Sequence, residues 1–247
     1  MRHVWSVCGL LCLIALWWLA SHFQWLSKVF LPTPEATLAS LVEGLTTGDL
    51  MQFTLATVAR MLVGWLLASI LGIALGALIG TSATARAWLG PSLEFLRPLP
   101  ASAVMPLAIA LFGLSSDMVL IVVAFGAMWP VLLATVNGFA RVEPRLQEVA
   151  SALQLPSSSY ILKIALPSTL PDILAGMRLS MTVALIVAVV GEMLASQPGL
   201  GQAILLAARA FRASELFAGI MLLGAIGFIS NALLSVAEKK LLAWQQN

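Results

Sequence analysis

Three ionisable side chains stand inside long apolar runs of this 247-residue chain, and they are the first candidates for chemistry: Arg60, Arg178 and Glu192. Glu192 is flanked by the apolar residues of VAVVGEMLA and lies 14 residues beyond Arg178, roughly 21 Å along a helix. A carboxylate in such a setting is a functional candidate because its charge is costly to keep there without a partner or a task. Three readings are open for it: a pathway or gating group, a structural partner for a neighbouring helix, or a group exposed at the outer interface. Arg60, near one end of its run, and Arg178, near the end of its own, read as snorkelling side chains. Nothing else is arranged for catalysis: there is no HExxH, no intramembrane His–Asp pair and no nucleophile beside a base. Cys8 and Cys12, one turn apart, read as small lipid- or helix-facing residues rather than a redox or metal pair. His3 and His22 flank the same run without acidic or cysteine partners, so no metal site is expected. No lysine follows a glycine, so G-x-x-x-x-G-K-[ST] is absent and the chain has no P-loop to cradle ATP.

The elements that must position these groups follow from composition. The chain is 60% hydrophobic and 10% charged, with mean hydropathy +0.99, against about 25% charged residues in soluble domains. It reads as an integral membrane protein, and runs of roughly 17–25 apolar residues make it α-helical, since a barrel would show weaker segments of about ten alternating residues. A net charge of +2 is too small to suggest nucleic acid.

Six spans are expected, over residues 4–20, 53–80, 99–114, 118–136, 173–195 and 216–237. The first resembles a signal peptide, but Trp17 and Trp18 occupy the place of a small-residue cleavage site, so an uncleaved span is the reading. Residues 21–52 form a polar stretch and residues 81–98 a loop. In the second span Gly64, Ala68, Gly72, Gly76 and Gly80 recur every four residues, a ladder of small side chains suited to close helix packing. The third span is short and carries Pro106, which a broken or tilted helix buried in protein tolerates. Lysines and arginines counted by side give nine within (Arg2, Arg86, Arg97, Arg141, Arg145, Lys163, Arg178, Lys239, Lys240) against Lys28, Arg209 and Arg212 outside. That asymmetry places both termini and the segment 143–171 in the cytoplasm.

This segment contains EVASALQLPSSSYILKIALPSTLP. Pro144 suits the start of a helix, and Leu146, Val149, Ala150 and Leu153 follow helical spacing as one apolar face. A second short helix is expected from about Pro156, ended by Pro167. The alternative is an ordinary loop lying on the headgroups.

Glu148, Ala150, Ile164, Leu166 and Pro167 keep the spacing of EAA-x₃-G-x₉-I-x-LP, so the hairpin resembles the cytoplasmic EAA loop of bacterial ABC importer permeases. Val149 replaces the second alanine, and Gln154 stands at the glycine, which in the family marks the bend. RPLPASAVMPLAIALFGL (97–114), GMRLSM (176–181), GEMLASQPGLG (191–201) and FAGIMLLGAIGF (217–228) resemble the nitrate/sulfonate/taurine/bicarbonate branch. The resemblance implies an all-α polytopic bundle of the type I importer permease fold with a coupling-helix hairpin, in a single permease domain. It implies a permease homodimer in the bacterial inner membrane, docking its loops on a cytosolic ABC ATPase dimer that binds ATP and Mg, and receiving a small anionic or organic solute from a periplasmic binding protein. No cofactor is then expected on this chain. Glu148, Val149, Ala150, Leu153, Gln154, Ile164, Leu166 and Pro167 would carry the coupling. The competing class is an ion-coupled secondary transporter, whose folds show internal repeats and midplane carboxylates; no repeat is evident, and Glu192 is the single candidate carboxylate.

Overall fold

A computed structural model describes residues 2–96 and 99–243; Arg97, counted above among the cytoplasmic charges, lies outside the described residues together with Pro98. Among the described residues all regular structure is helical: α1 (Arg2–His22), α2 (Pro34–Thr46), α3 (Leu50–Gly80), α4 (Ala83–Leu96), α5 (Ala101–Phe112), α6 (Ser116–Ala140), α7 (Pro144–Ala152), α8 (Ser157–Tyr160), a π-helical turn (Ile161–Ala165), α9 (Leu166–Ala195), α10 (Leu200–Arg209) and α11 (Ala213–Leu241). The chain forms two compact units, one of Met1–Thr57 with Pro198–Ile226, the other of Val58–Gln197 with Gly227–Asn247.

In the first unit, two tryptophans tie the end of α1 to the start of α2. Trp17 Nε1 donates to the Pro32 carbonyl at 3.0 Å and its ring stacks on Phe217, while Trp18 Nε1 donates to Glu35 Oε1 at 2.9 Å. Thr33 caps α2, accepting from the Ala36 N–H. Glu35, in the first turn, is held below the ordinary carboxylate range chiefly by a hydrogen bond from its own backbone N–H, with help from Trp18. The polar stretch 21–52 therefore contains a helix, because Thr33-Pro34 is a cap followed by a proline at a position where no N–H is needed. At the other end of the unit, the Leu200 N–H that opens α10 donates to Thr57 Oγ1 at 2.9 Å.

In the second unit α6 is the central helix, with α3 on one side and α9 on another. Added methyl groups at Gly72, Gly76 and Gly80 would lie 2.9, 2.5 and 2.8 Å from Val131, Thr135 and Phe139 of α6, and Gly64 faces Val123 in the same way. Each pair differs by 59 in residue number, so α3 and α6 run parallel in fixed register. Ala68, the remaining step of the ladder, is fully buried. By contrast Gly191 meets Val119, Ser180 donates to the Ala127 carbonyl at 2.6 Å, and Gly138 meets Thr169, so α9 runs antiparallel to α6.

Four helical stretches among the described residues are long and apolar enough to cross a membrane: Leu50–Gly80, Ser116–Ala140, Ser157–Ala195 and Ala213–Leu241. A fifth results if Ala83–Leu96 and Ala101–Phe112 form one bent span. The 12 residues of α5 reach only about 18 Å, short of the roughly 30 Å of hydrocarbon. If α3 and α6 both cross the membrane, their parallel course requires the chain to return between them, and α4 and α5 are the helices in that interval. Residues 83–96, expected as loop, are helical despite Pro91. The first expected span lies on α1, of 21 residues.

Pro167 does not end the second hairpin helix, as its sequence position suggested. The π turn at Ile161–Ala165 leads into α9, with the Leu166 N–H bonded to the Ile161 carbonyl. A widened turn placed just before a proline absorbs the missing N–H and relieves the ring's clash with the preceding turn. Residues 157–195 thus form one 39-residue rod, roughly 58 Å long, which overshoots the hydrocarbon and carries the hairpin at its end.

The glycine ladder makes a steric prediction. A Cβ at Gly72 would also press on the Met128 carbonyl and the Leu132 N–H, both at 3.1 Å, and backbone cannot step aside. Gly72→Leu is expected to destabilise by about 1–3 kcal/mol or more, read as a lowered thermal midpoint of the detergent-solubilised protein. Gly224, in α11, has nothing within 4 Å of its added methyl and no proline beside it, so Gly224→Ala is expected to gain about 0.5–1 kcal/mol from helix propensity.

Candidate functional site

Arg60 projects from α3 and Glu192 from α9, at the end of the second unit where α6 begins. Arg60 Nη1 donates to Glu192 Oε1 at 2.6 Å, and its Nε donates to Ser116 Oγ at 3.1 Å. The Glu192 side chain is fully buried and that of Arg60 is 13% exposed. The snorkelling expected of Arg60 is therefore corrected: its guanidinium turns inward to neutralise a carboxylate that cannot reach water. Of the three readings of Glu192, exposure at the interface is excluded, and pairing to a neighbouring helix is what the geometry shows. Ser116, missed in the sequence, stands one residue past the N-cap Ser115 and so begins α6 where Arg60 can reach it.

Arg178 also pairs, through Nη2 to Glu238 Oε2 of α11, rather than simply snorkelling. This pair is more open, with 40% and 26% of the two side chains exposed. The Trp65 indole donates to the Met177 carbonyl at 2.9 Å, adding a polar tie between α3 and α9. Cys8 and Cys12 are exposed free thiols, and no group of three metal-ligating side chains occurs among the described residues.

The hairpin is built on the opposite end of α6 and α9. Phe139, Val142 and Ala165 form a buried cluster, against which Ala77, Leu146, Tyr160, Ile161 and Leu166 pack. This divides the face expected on α7. Ala150 is buried and Leu146 packs inward, whereas Val149 and Leu153 are 51% and 65% exposed beside the exposed Glu148. The sequence could not separate them, because Leu146, Val149, Ala150 and Leu153 share one helical spacing and only tertiary packing chooses which edge faces protein. Ile164 and Leu166 are half-buried, and Pro167 is exposed.

α7 ends in a Schellman motif: the Leu155 N–H bonds to the Ala150 carbonyl and the Gln154 N–H to the Ser151 carbonyl, both at 3.0 Å. That motif needs a left-handed residue at its turn, and Gln154 supplies it with φ +49°. The position where the EAA pattern has glycine is thus the position that needs glycine's conformation, and glutamine adopts it at a cost of about 1–2 kcal/mol.

The buried ion pair should be costly to break and cheap to replace. Arg60→Met alone is expected to lose about 3–5 kcal/mol by stranding Glu192, whereas the double variant Arg60→Met/Glu192→Leu recovers most of it, as read by thermal unfolding in detergent.

Comparison with known proteins gives these features a family. Residues 68–242 match the family model described as a binding-protein-dependent transport system inner membrane component. The chain is 34% identical over 95% of its length to a protein of Bacillus subtilis designated an aliphatic sulfonates transport permease, covering 85% of that protein. It is 28% identical over 97% of its length to the taurine transport system permease protein of Escherichia coli, covering 89% of it. Its fold matches a chain of the inward-facing MetNI methionine ABC transporter with TM-score 0.69 at 16% identity, over 78% of this chain and 95% of that one. The chain accordingly belongs to the binding-protein-dependent inner-membrane components: it is a multi-pass inner-membrane permease subunit of an ABC importer, in a family that does not hydrolyse ATP itself and acts with an ATPase subunit and a binding protein.

Proposed function

We infer that this permease conducts a small oxyanion, of the sulfonate, taurine or nitrate kind, and is coupled to its ATPase through residues 148–167. The relatives named for sulfonate, taurine and nitrate transport support the substrate class. The single observation that carries the coupling role is the division of the hairpin into a buried root and a displayed edge: Ala150, Ala165, Leu146 and Leu166 hold it to the bundle, while Glu148, Val149 and Leu153 are left exposed. An apolar edge flanked by a carboxylate is the chemistry of a helix that seats in a groove lined by a cation. The nine-to-three asymmetry of lysine and arginine supports a cytoplasmic position for this edge and for both termini, in a bacterial inner membrane.

In this reading two copies of the permease form the path and each hairpin docks on one subunit of an ATPase dimer. ATP with Mg binds there and not on this chain. Closure of the ATPase dimer moves the hairpins, and the 39-residue rod of 157–195 transmits that movement into the bundle. A periplasmic binding protein presents the solute at the opposite face. Glu192 serves this cycle as a fixed structural group, neutralised by Arg60, and the ladder Gly64, Ala68, Gly72, Gly76 and Gly80 keeps α3 and α6 moving as one body.

Charge reversal at Glu148 tests the docking directly. Glu148→Arg is expected to insert normally but to lower ATP-dependent uptake in proteoliposomes by at least about tenfold, the equivalent of roughly 1.4 kcal/mol of lost contact; uptake at the parent rate overturns the assignment. A second prediction concerns the bend. Gln154→Gly is expected to raise the thermal midpoint, by about 1 kcal/mol of relieved strain, with transport retained. Gln154→Val, β-branched and poorly suited to a left-handed turn, is expected to lower both stability and uptake.

A further inference from the structure

Arg60 and Arg178 are the two arginines of the long helices α3, α6 and α9, and the structure treats them differently. Arg60 belongs to a closed pair, 13% exposed against a fully buried partner. Arg178 belongs to an open one: 40% of its side chain and 26% of that of Glu238 remain exposed. Its Nε, moreover, is buried without any hydrogen-bond partner. Between Asp172 and Glu192 it is the single ionisable residue of α9, and it stands roughly 21 Å from Glu192 along the helix, on the side toward the hairpin.

We propose that Arg178 is a binding residue for the transported oxyanion on the hairpin side of the path, with Glu238 as its resident counter-ion; this rests on the oxyanion reading given above. Charged side chains within membrane-spanning helices face the protein interior or a water-filled cavity, because hydrocarbon does not solvate them. In this proposal the exposed flank of the pair, 40% of the Arg178 side chain and 26% of that of Glu238, is the one that faces the aqueous path. A strut between α9 and α11 would engage the guanidinium fully. Here the Nε–Nη2 edge is half used: Nη2 donates to Glu238, and Nε donates to nothing. That edge is the planar fork that takes an oxyanion with two parallel hydrogen bonds. For a sulfonate, nitrate or carboxylate group to use this edge, Glu238 must swing away and uncover the buried Nε; the anion then accepts from both N–H groups and satisfies the idle donor. Glu238 in turn supplies the means of release. A bare arginine would trap an anion, whereas a path must bind well enough to admit the solute and weakly enough to let it go, and a tethered carboxylate competing for the same edge provides that balance.

The test places a thiol beside the arginine. In the assembled importer, with Cys8→Ser and Cys12→Ser to remove the native thiols, Glu238→Cys is treated with two methanethiosulfonate reagents, one ending in a sulfonate and one in a trimethylammonium. With Arg178 present the anionic reagent is expected to react about tenfold faster than the cationic one, by local concentration in the arginine's field. Ethanesulfonate should slow it, and Arg178→Gln should abolish the preference. Equal rates, no reaction with either reagent, or a preference that survives Arg178→Gln would each overturn the proposal. A second measurement leaves the fold closer to native: in Glu238→Gln, half-maximal thermal stabilisation by ethanesulfonate is expected at a concentration several-fold below that of the parent, and an unchanged concentration overturns the role given to Glu238. Labelling does not depend on what is imported, so its failure leaves the substrate class standing. Import of a neutral or cationic solute by the parent importer would instead overturn the oxyanion reading, and the role of Arg178 with it.

Discussion

The close approach of α3 to α6 is the contact on which the second unit depends. Four glycines bring the two backbones together at a constant difference of 59 residues, and a small-residue face of this kind fixes direction as well as distance. Because the helices are parallel, two membrane crossings in the same direction require a return between them, in the interval that holds α4 and the 12-residue α5. Because α9 is antiparallel to α6, its carboxylate at Glu192 arrives at the end where α3 presents Arg60, and its first turn arrives at the end where α6 gives way to the hairpin. One steric fact thus assigns the ion pair to one end of the unit and the hairpin to the other.

Much of this was legible in the residues, and the parts that were not share a cause. The ladder Gly64 to Gly80 is readable because small side chains at four-residue spacing have one geometric consequence. The hairpin is readable because Glu148, Ala150, Ile164, Leu166 and Pro167 stand at the spacing of the EAA pattern. Arg60 and Glu192 each looked like a solitary charge, although the order of spans already placed both at the same end of the bundle; single-helix reasoning treated them one at a time. The helices α2 and α4 were hidden by polarity and by Pro91, since short helices with prolines resemble loops until their caps are considered. Pro167 misled for a related reason: a proline ends an isolated helix, but a π turn lets a packed one continue. The split of Leu146 and Ala150 from Val149 and Leu153 lay beyond the sequence altogether, because periodicity defines a face and not which of its edges meets protein.

The two ion pairs divide the unit into a stiff end and a responsive one. A pair with a fully buried carboxylate gives little net stability, but it resists rearrangement, since separating the partners strands a charge in a medium that cannot solvate it. Arg60, Glu192 and Ser116 therefore hold α3, α9 and the start of α6 in one arrangement. The Arg178–Glu238 pair lacks that constraint because part of each side chain reaches solvent, and a water-exposed pair exchanges partners at small cost. Rearrangement is consequently cheapest in the half of the unit that adjoins the hairpin.

Gln154 shows how strongly the hairpin turn itself is specified. A side chain in the left-handed region costs about 1–2 kcal/mol, and the hairpin accepts this cost where glycine would avoid it, so the surrounding contacts must over-determine the turn. They do so from both sides: the Leu155 and Gln154 N–H groups close on Ala150 and Ser151, and Ala150 itself is buried. Beyond the turn, Tyr160 and Ile161 pack on the Phe139–Val142–Ala165 cluster, and the helix then runs without a break to Ala195. From Ser157 to Ala195 the chain stays helical through the π turn at Ile161–Ala165 and past Pro167 and Pro171. In the proposed coupling, stiffness at Gln154 matters because a floppy bend would dissipate the displacement before it reached α9.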